Sequence, residues 1–439
     1  MLNTLNLRKL LLFLGDIACL YLSLLATVFF GFWGSFKWVL FFEHLPAFSV
    51  LYIFWLIVFY ILGLYELNVI RTKIDFYSKT LGAILICFGV GIVFFYLIPF
   101  FDITPKTNLF LNIIIFGILF LAWRKVFYSL FSSHFLNRTA IIGQGEQTQE
   151  LTKEILSRPY LGYKLITLND KLDLLPQIQK KKIDTLIIPP NLETNAWLTE
   201  NLYRSLLARI NFMDWARAYE IICKKIPISA VGQTWFLKNI KEGEKGFYNK
   251  TKQGMDLILA GFLLIATCPL WPLIALLVKL EDGGPVLYCQ ERIGKDRKSF
   301  FLFKFRSMKV GAEEKTGPVW AKEEDSRITK VGKWLRKIHL DELPQMVNVL
   351  KGEISLVGPR PERPEFIQNL EKEIPHYHIR HLIKPGFTGW AQIKFRYGRS
   401  IMDSQEKFQY DLYYLKNRGL FLDLGILLKT FQLFFKKEK

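Results

Sequence analysis

The sequence contains little cysteine, and the cysteines it has are not spaced for disulfides or for metals. The five residues, none of which forms a Cys-x-x-Cys pair, are Cys19, Cys87, Cys223, Cys268 and Cys289. Three of them lie within apolar runs. The spacing excludes a disulfide framework and a cysteine-ligated metal site, and it is typical of a protein that faces a reducing cytosol.

Acidic residues are also in short supply. The 439 residues include 39 Asp and Glu against 58 Lys and Arg, which gives a formal net charge of +19. Such an excess favours an anionic partner: nucleic acid, an anionic membrane surface or a phosphorylated substrate. The sequence lacks zinc-finger spacing and an RNP-like aromatic motif. A membrane lipid surface and a phosphate substrate are therefore expected, and nucleic acid is not.

Long apolar runs are concentrated in the first third of the chain. Each approaches the ~20 residues that a helix needs to cross the hydrocarbon core, and polar faces at helical spacing are few. We predict four spans rather than buried core helices, and an uncleaved anchor rather than a signal peptide at the first run. The runs are roughly Leu10–Trp33, Ala47–Tyr65, Thr80–Phe101 and Thr107–Trp123.

Basic residues orient these spans. The positive-inside rule places both ends of the bundle in the cytosol, because two connections carry only Lys37 and Lys106. The opposite flanks carry Arg8, Lys9, Arg71, Lys73, Lys79, Arg124 and Lys125. Asp16 is a lone acid in the first run, and two interpretations stay open: a functional group, or a side chain that faces a helix partner or a headgroup.

The middle of the chain reads as a soluble α/β domain. A strand at Thr139–Ile142, a turn at 143–146, a helix at Thr148–Ser157 and a strand at Thr185–Ile188 predict the start of a wound, Rossmann-like sheet. Thr148 stands where the nucleotide-binding fingerprint has its third glycine. A bound nucleotide or CoA-like ligand therefore remains one alternative, and a structural or regulatory sheet is the favoured one.

A fifth apolar run, Leu257–Val278, has no charged residue and carries Pro269 and Pro272 at its centre, so a kink or break is expected there. If this run crossed the membrane, about 160 residues rich in Lys and Arg would follow it on the outside. We therefore predict a re-entrant helix over about 254–279, broken at Cys268 and Pro269, rather than an ordinary kinked span. Thr267 is expected to bond backbone groups near the break.

Asp341 and Glu342 are the strongest candidates for chemistry. Leu343, Met346, Val347 and Leu350 behind them have amphipathic helical spacing, so the acids are predicted at or just before a helix N-terminus. That position favours carboxylates and phosphates, although a plain Asp N-cap is the simpler alternative. Their surroundings are cationic, which suits a diphosphate held with a divalent cation. The basic stretches are Lys304–Met308, Arg336–Lys337, Gly358–Pro361, Arg363 and Lys384–Trp390.

Together these motifs resemble the polyprenyl-phosphate hexose-1-phosphate transferases, the monotopic phosphoglycosyl transferases that begin exopolysaccharide, capsule and O-antigen assembly in bacteria. The four spans and the middle sheet are similar to the long-form members. The motifs are Gln290–Gly294, Lys304–Met308, Asp325–Thr329, Leu340–Gln345, Ser355–Pro361, Lys384–Ile393 and Tyr410–Tyr414. The implied architecture is a four-span helical bundle (1–130), a Rossmann-like domain (136–241) and a mainly helical catalytic domain with a re-entrant membrane helix (248–439).

The resemblance also implies a reaction. Asp341 would be the nucleophile and a Mg²⁺ ligand, taking a sugar phosphate from a UDP-sugar with release of UMP. Undecaprenyl phosphate would then accept the sugar phosphate at the bacterial inner membrane. Glu342 would be the partner acid. The implied phosphate contacts are Lys304, Arg306, Arg336 and Arg360. Glucose or galactose is the expected sugar, and homodimerisation is left open.

Three positions depart from the family pattern: His339 replaces a small hydroxyl residue, Cys268 replaces Ser, and Gln253 replaces a basic residue. None is one of the acids. Two other function classes are alternatives: a membrane scaffold with a vestigial catalytic domain and an integral glycosyltransferase that releases UDP. The intact acid pair beside intact basic motifs argues against the scaffold, and the released nucleotide separates all three.

Overall fold

The fold is described from a computed structural model. The structure describes residues 4–65, 73–97, 106–131, 137–143, 146–158, 162–169, 172–189, 195–312, 317, 325–395 and 400–435. The chain divides into two compact units, Met1–Ala218 and Tyr219–Lys439. Helix is the dominant structure in the described residues, and the sheets are small.

Four apolar helices begin the first unit: α1 (Thr4–Gly31), α2 (Trp38–Ile61), α3 (Lys73–Leu97) and α4 (Lys106–Phe131). Segments of three of them are long and apolar enough to cross a membrane: Lys9–Gly31, Trp38–Ile61 and Asn108–Phe127. In α3 the corresponding apolar segment, Thr80–Phe95, is shorter. Part of the third predicted span, up to Phe101, lies outside the described residues. The three long segments make the chain a membrane protein.

A buried ion pair joins the first and fourth helices. Arg124 Nη2 lies 2.6 Å from Asp16 Oδ2, and both side chains are completely buried. Arg124 Nη1 donates to the backbone carbonyl of Leu64 at 2.7 Å. Of the interpretations left open for Asp16, the structure therefore supports a helix partner. Arg124 lies inside the bundle, rather than only flanking the span as a headgroup contact.

A four-stranded parallel sheet follows the bundle, with strands in the order β2-β1-β3-β4. Gly143, after β1, has φ +99°, and a Cβ there would lie 3.1 Å from Pro189 Cβ, so the turn requires glycine. The predicted strands and helix are confirmed, whereas Gln144 and Gly145 lie outside the described residues. The elements are β1 (Asn137–Ile141), α5 (Glu146–Ser157), β2 (Tyr163–Leu165), α6 (Leu174–Lys181), β3 (Thr185–Ile188), α7 (Ala196–Arg204) and β4 (Asn211–Asp214).

The division between the units falls within α8 (Trp215–Cys223), and α9 (Gln233–Asn239) and a helical pair, α10 (Gly246–Thr267) and α11 (Leu270–Asp282), follow. The pair is bent by 64° at the break. Pro269 has no backbone N–H to continue the helical hydrogen bonds. The Thr267 hydroxyl donates to the Leu263 carbonyl at 2.7 Å. The two helices are separated at Cys268 and Pro269, where the sequence predicts a break, and whether this break is re-entrant stays a prediction.

Part of the second unit packs against α10. A core of buried side chains joins α10 to the elements behind the acid pair, and it includes Ala260, Met346, Val349, Leu356 and Tyr414. Strands β5 and β6 pair antiparallel, and β7 and β8 pair parallel. The elements are β5 (Leu287–Ile293), β6 (Ser299–Phe305), α12 (Lys330–Lys337), α13 (Gln345–Leu350), β7 (Ser355–Val357), α14 (Pro364–Glu373), β8 (Gly386–Thr388), α15 (Trp390–Lys394), α16 (Ile401–Asn417) and α17 (Leu420–Phe435).

The ion pair in the bundle gives a stability prediction. Asp16→Ala should lower the thermal unfolding midpoint of the detergent-solubilised protein, because it leaves the Arg124 guanidinium buried without its counter-charge. Removing one partner of a buried ion pair lowers the free energy of unfolding by about 3–5 kcal/mol. Adding Arg124→Leu should restore most of the loss. Glu43→Ala, which removes an exposed carboxylate from α2, is the matched control. Equal midpoints for Asp16→Ala and Glu43→Ala would contradict the role of the pair.

Candidate active site

The two acids lie in a short 3₁₀ turn, Leu340–Glu342, between α12 and α13. His339 enters this turn with φ +54°, which turns the chain sharply after α12, and Pro344 immediately precedes α13. Asp341 and Glu342 are only 6% and 8% exposed. The prediction that they lie just before a helix N-terminus is confirmed.

Glu342 is paired with two cations through one of its carboxylate oxygens. Its Oε1 accepts from Lys304 Nζ at 2.8 Å and from Arg360 Nη2 at 2.8 Å. Burial alone would raise the pKa of Glu342, but the Lys304 ammonium and the Arg360 guanidinium outweigh it and hold that pKa well below its usual range. Glu342 is therefore an ionised anchor that brings strand β6 and the loop after β7 together.

Asp341 stands in the opposite state. Its Oδ1 is buried and has no hydrogen-bond partner among the described residues. Burial raises the pKa of Asp341, and the neighbouring Glu342 carboxylate raises it further, whereas Lys304 and Arg336 oppose the rise. A buried carboxylate oxygen without a partner is costly unless a ligand completes it. Asp341 is thus the acid of the pair that keeps a carboxylate oxygen, Oδ1, without a hydrogen bond from the described residues.

The remaining predicted phosphate contacts separate into two kinds. Arg336, on the last turn of α12, is held by the Ser307 hydroxyl, which accepts from its Nε at 2.8 Å, and its charge acts on Asp341. Arg306 forms an ion pair with Asp282 at the end of α11 and not with either acid. Lys304, Arg336 and Arg360 therefore surround the acid pair, while Arg306 joins β6 to the helical hairpin.

Comparison with known proteins decides the family. Residues 247–437 match the family described as bacterial sugar transferases. A sugar transferase of Haemophilus influenzae, itself uncharacterized, is 30% identical over 344 residues, which cover 70% of this chain and 71% of that protein. The chain belongs to the bacterial sugar transferase family. The resemblance predicted from the motifs is confirmed at this level.

Relatives with named activities match a shorter part of this sugar transferase. The UDP-N-acetylgalactosamine-undecaprenyl-phosphate N-acetylgalactosaminephosphotransferase of Aeromonas hydrophila is 44% identical over 183 residues, 42% of this chain and 43% of that protein. The UDP-glucose:undecaprenyl-phosphate glucose-1-phosphate transferase of Escherichia coli is 41% identical over 181 residues, 41% of this chain and 39% of that protein. The matched region spans less than half the length of either relative.

The loop that carries Arg360 in the sugar transferase is held by a close backbone crossing. The Gly358 amide donates to the Thr388 carbonyl at 2.9 Å, and the Gly386 amide donates to the Pro359 carbonyl at 2.8 Å. A Cβ on Gly386 would lie 2.0 Å from the Gly358 nitrogen, so no side chain fits there. The glycines of two separate motifs thus serve one contact, which fixes the backbone before Arg360.

Three residues of the sugar transferase were not singled out by the sequence as part of the site. Arg380 and Arg292 donate to the backbone carbonyls of Arg360 and Pro361, and Asp411 pairs with Arg380. Arg292 and Asp411 lie inside motifs that carried the family resemblance. Those motifs indicated the family but not what either residue does. Arg380 had no such signal, since a basic residue between His378 and His381 reads as a surface charge.

A magnesium ion fits this site through one carboxylate rather than a cage. The described residues contain no group of three or more His, Cys, Asp and Glu side chains that could hold a metal. Mg²⁺ commonly binds through one or two carboxylates together with substrate phosphates and water. The partnerless, buried Oδ1 of Asp341 is an oxygen of this kind.

Proposed function

We propose that this protein transfers a sugar-1-phosphate from a UDP-sugar to undecaprenyl phosphate and releases UMP, with Asp341 as the covalent nucleophile. The observation that carries the proposal is the division between the two acids. Glu342 is held by Lys304 and Arg360, whereas Asp341 Oδ1 has no partner among the described residues. A nucleophile must be free to attack the substrate. The neighbouring acid, Glu342, is held by its two cations and so does not compete with Asp341 for the substrate phosphorus.

The chemistry balances in two steps. An Asp341 carboxylate oxygen attacks the β-phosphorus of the UDP-sugar, the new O–P bond forms, and the bond to the UMP oxygen breaks. A phosphate oxygen of the lipid then attacks the same phosphorus, the Asp341–phosphorus bond breaks, and the carboxylate is regenerated. Covalent catalysis of this kind divides one difficult transfer into two easier ones.

The cations around the acids stabilise the charge of the donor. Arg336 and Arg360 present guanidinium groups, which match phosphate oxygens in two-point contacts, and Lys304 adds a point charge. Arg360 is the most accessible of the cations paired with Glu342, with a side chain 45% exposed, so it can meet a phosphate without leaving Glu342. We propose that Mg²⁺, held by Asp341, supplies neutralisation of the diphosphate charge.

The proposed setting is the bacterial inner membrane, with the catalytic unit on the cytosolic face. The basic flanks of a four-span bundle and the basic sequence after α11 support it. The 64° bend at Cys268 and Pro269 supports a hairpin that enters and leaves on one side. The strand order β2-β1-β3-β4 supports a Rossmann-like middle domain. Such a reaction would begin exopolysaccharide, capsule or O-antigen assembly.

The donor is proposed to carry a hexose, glucose or galactose. The glucose-1-phosphate transferase of Escherichia coli, at 41% identity, supports this. The Aeromonas hydrophila relative, at 44% identity, acts by its name on N-acetylgalactosamine. UDP-N-acetylgalactosamine is therefore the competing donor.

Released nucleotide tests the proposal directly. Purified protein supplied with Mg²⁺, undecaprenyl phosphate and each of UDP-glucose, UDP-galactose and UDP-N-acetylgalactosamine should release UMP from one donor. Asp341→Asn should reduce turnover at least about 10³-fold, because the nucleophile is lost. Asp296→Asn, which alters an exposed acid of the second unit that lies outside the family motifs, is the matched control. Release of UDP, or full activity in Asp341→Asn, would overturn the proposal.

The raised pKa of Asp341 predicts a pH dependence. The nucleophile acts only when ionised, so the acid limb of kcat/KM should lie above the ~3.9 of an ordinary aspartate. Arg336 opposes the rise, so Arg336→Gln should move the acid limb to higher pH at fixed Mg²⁺ concentration. Lys333→Gln removes an equal charge from the exposed face of α12 and should not move it. The same acid limb in both variants would argue against Asp341 as the titrating group.

A further inference from the structure

Arg380 is a buried cation whose contacts converge on the loop beside the acid pair. Its side chain is only 6% exposed. Nη2 donates to the Arg360 carbonyl at 2.9 Å and to Asp411 Oδ2 at 2.9 Å, and Nη1 donates to the Tyr377 hydroxyl at 2.7 Å. Burying a guanidinium is costly, and the hydrogen bonds from Nη1 and Nη2 offset part of that cost only in this geometry, although Nε has no partner among the described residues.

A second arginine holds the next carbonyl along the same loop. Arg292 Nη1 donates to the Pro361 carbonyl at 3.1 Å, while its Nη2 donates to Gln290 Oε1 at 2.5 Å. Arg292 lies on β5, and Arg380 lies in the 3₁₀ segment Tyr377–Leu382. Two arginines from separate elements thus fix two consecutive peptide carbonyls.

The side chain between these contacts is the one that reaches Glu342. Arg360 is a long side chain, almost half exposed, and its contact with Glu342 is at 2.8 Å. An exposed arginine loses rotamer freedom when it is held in one direction. The bonds to the Arg360 and Pro361 carbonyls restrict the backbone position from which the Arg360 side chain extends. They therefore favour the side-chain orientation that reaches Glu342.

We propose that Arg380 and Arg292 are positioning residues that act through Arg360, and that Asp411 holds Arg380 in place for this task. Neither arginine contacts Asp341 or Glu342 in the described structure. Their effect on transfer passes through the Arg360 backbone to the Arg360–Glu342 contact. The kinetic part of this inference rests on the proposed transferase function.

A double-mutant cycle tests the route. Arg380→Lys keeps a positive charge opposite Asp411 but loses the fork that also reaches the Arg360 carbonyl. It should lower kcat/KM by about 10–100-fold, the scale of a misplaced contact group. In an Arg360→Lys background the same change should cost less than about twofold, because the side chain on which it acts is already altered. Arg297→Lys, at an arginine paired with Glu371 on the surface, should cost nothing in either background.

Backbone hydrogen exchange tests, independently of activity, whether Arg380 and Arg292 order the loop that carries Arg360. The amides of Val357, Gly358, Arg360, Glu362 and Arg363 should exchange faster in Arg380→Lys than in wild type or Arg297→Lys, at temperatures where all three are folded. Arg292→Lys provides a second variant, should Arg380→Lys fail to fold, and should accelerate exchange in the same segment.

The outcomes are distinguishable. The inference would be overturned if the fold-losses in kcat/KM of Arg380→Lys and Arg360→Lys simply multiply in the double variant. It would also be overturned if amide exchange in the 357–363 segment is unchanged in both Arg380→Lys and Arg292→Lys. Wild-type protein that releases no UMP from any donor would overturn the proposed function instead, and the exchange result would still decide whether the two arginines order the Arg360 loop.

Discussion

The contact of Glu342 with Lys304 and Arg360 is the interaction on which the site depends. A carboxylate that is 8% exposed persists in its ionised form only when opposite charges and hydrogen bonds replace water. Lys304 comes from β6 and Arg360 from the loop after β7, so the same carboxylate that is stabilised also joins two elements. Because Glu342 takes up both cations, the adjacent Asp341 keeps a buried oxygen with no partner in the described residues. The two neighbouring acids thus differ in hydrogen bonding because Lys304 and Arg360 bond to Glu342.

The fold delivers this arrangement through contacts of very different kinds. The crossing of Gly358 with Gly386 brings two backbones too close for any side chain between them. Apolar packing of Ala260 against Met346 and Val349 attaches the first helix of the hairpin to the helix behind the acids. The first helix of the bent pair is therefore part of the core of the second unit.

Much of this could be predicted from sequence where the physics is local. Spans follow from length and hydropathy, the break follows from the missing amide of Pro269, and the position of the acids follows from the helical spacing of Leu343, Met346 and Leu350. Features that depend on tertiary contacts could not be predicted. The family resemblance implied a phosphate contact for Arg306, but no spacing rule indicated the ion pair that it forms after β6 ends at Phe305. Beyond that strand end its side chain pairs with Asp282. Arg380 is 20 residues from Arg360 and 31 from Asp411, and no spacing rule connects residues so far apart.

The central claim is that Asp341, and not Glu342, takes the sugar phosphate. Incubating the protein with its UDP-sugar and Mg²⁺ in the absence of undecaprenyl phosphate, followed by acid quench and peptide mass spectrometry, tests this most directly. The account predicts one equivalent of UMP and a sugar-phosphate mass on Asp341, which disappears when undecaprenyl phosphate is added. A sugar-phosphate mass on Glu342, or turnover with no labelled carboxylate at any quench time, would contradict it.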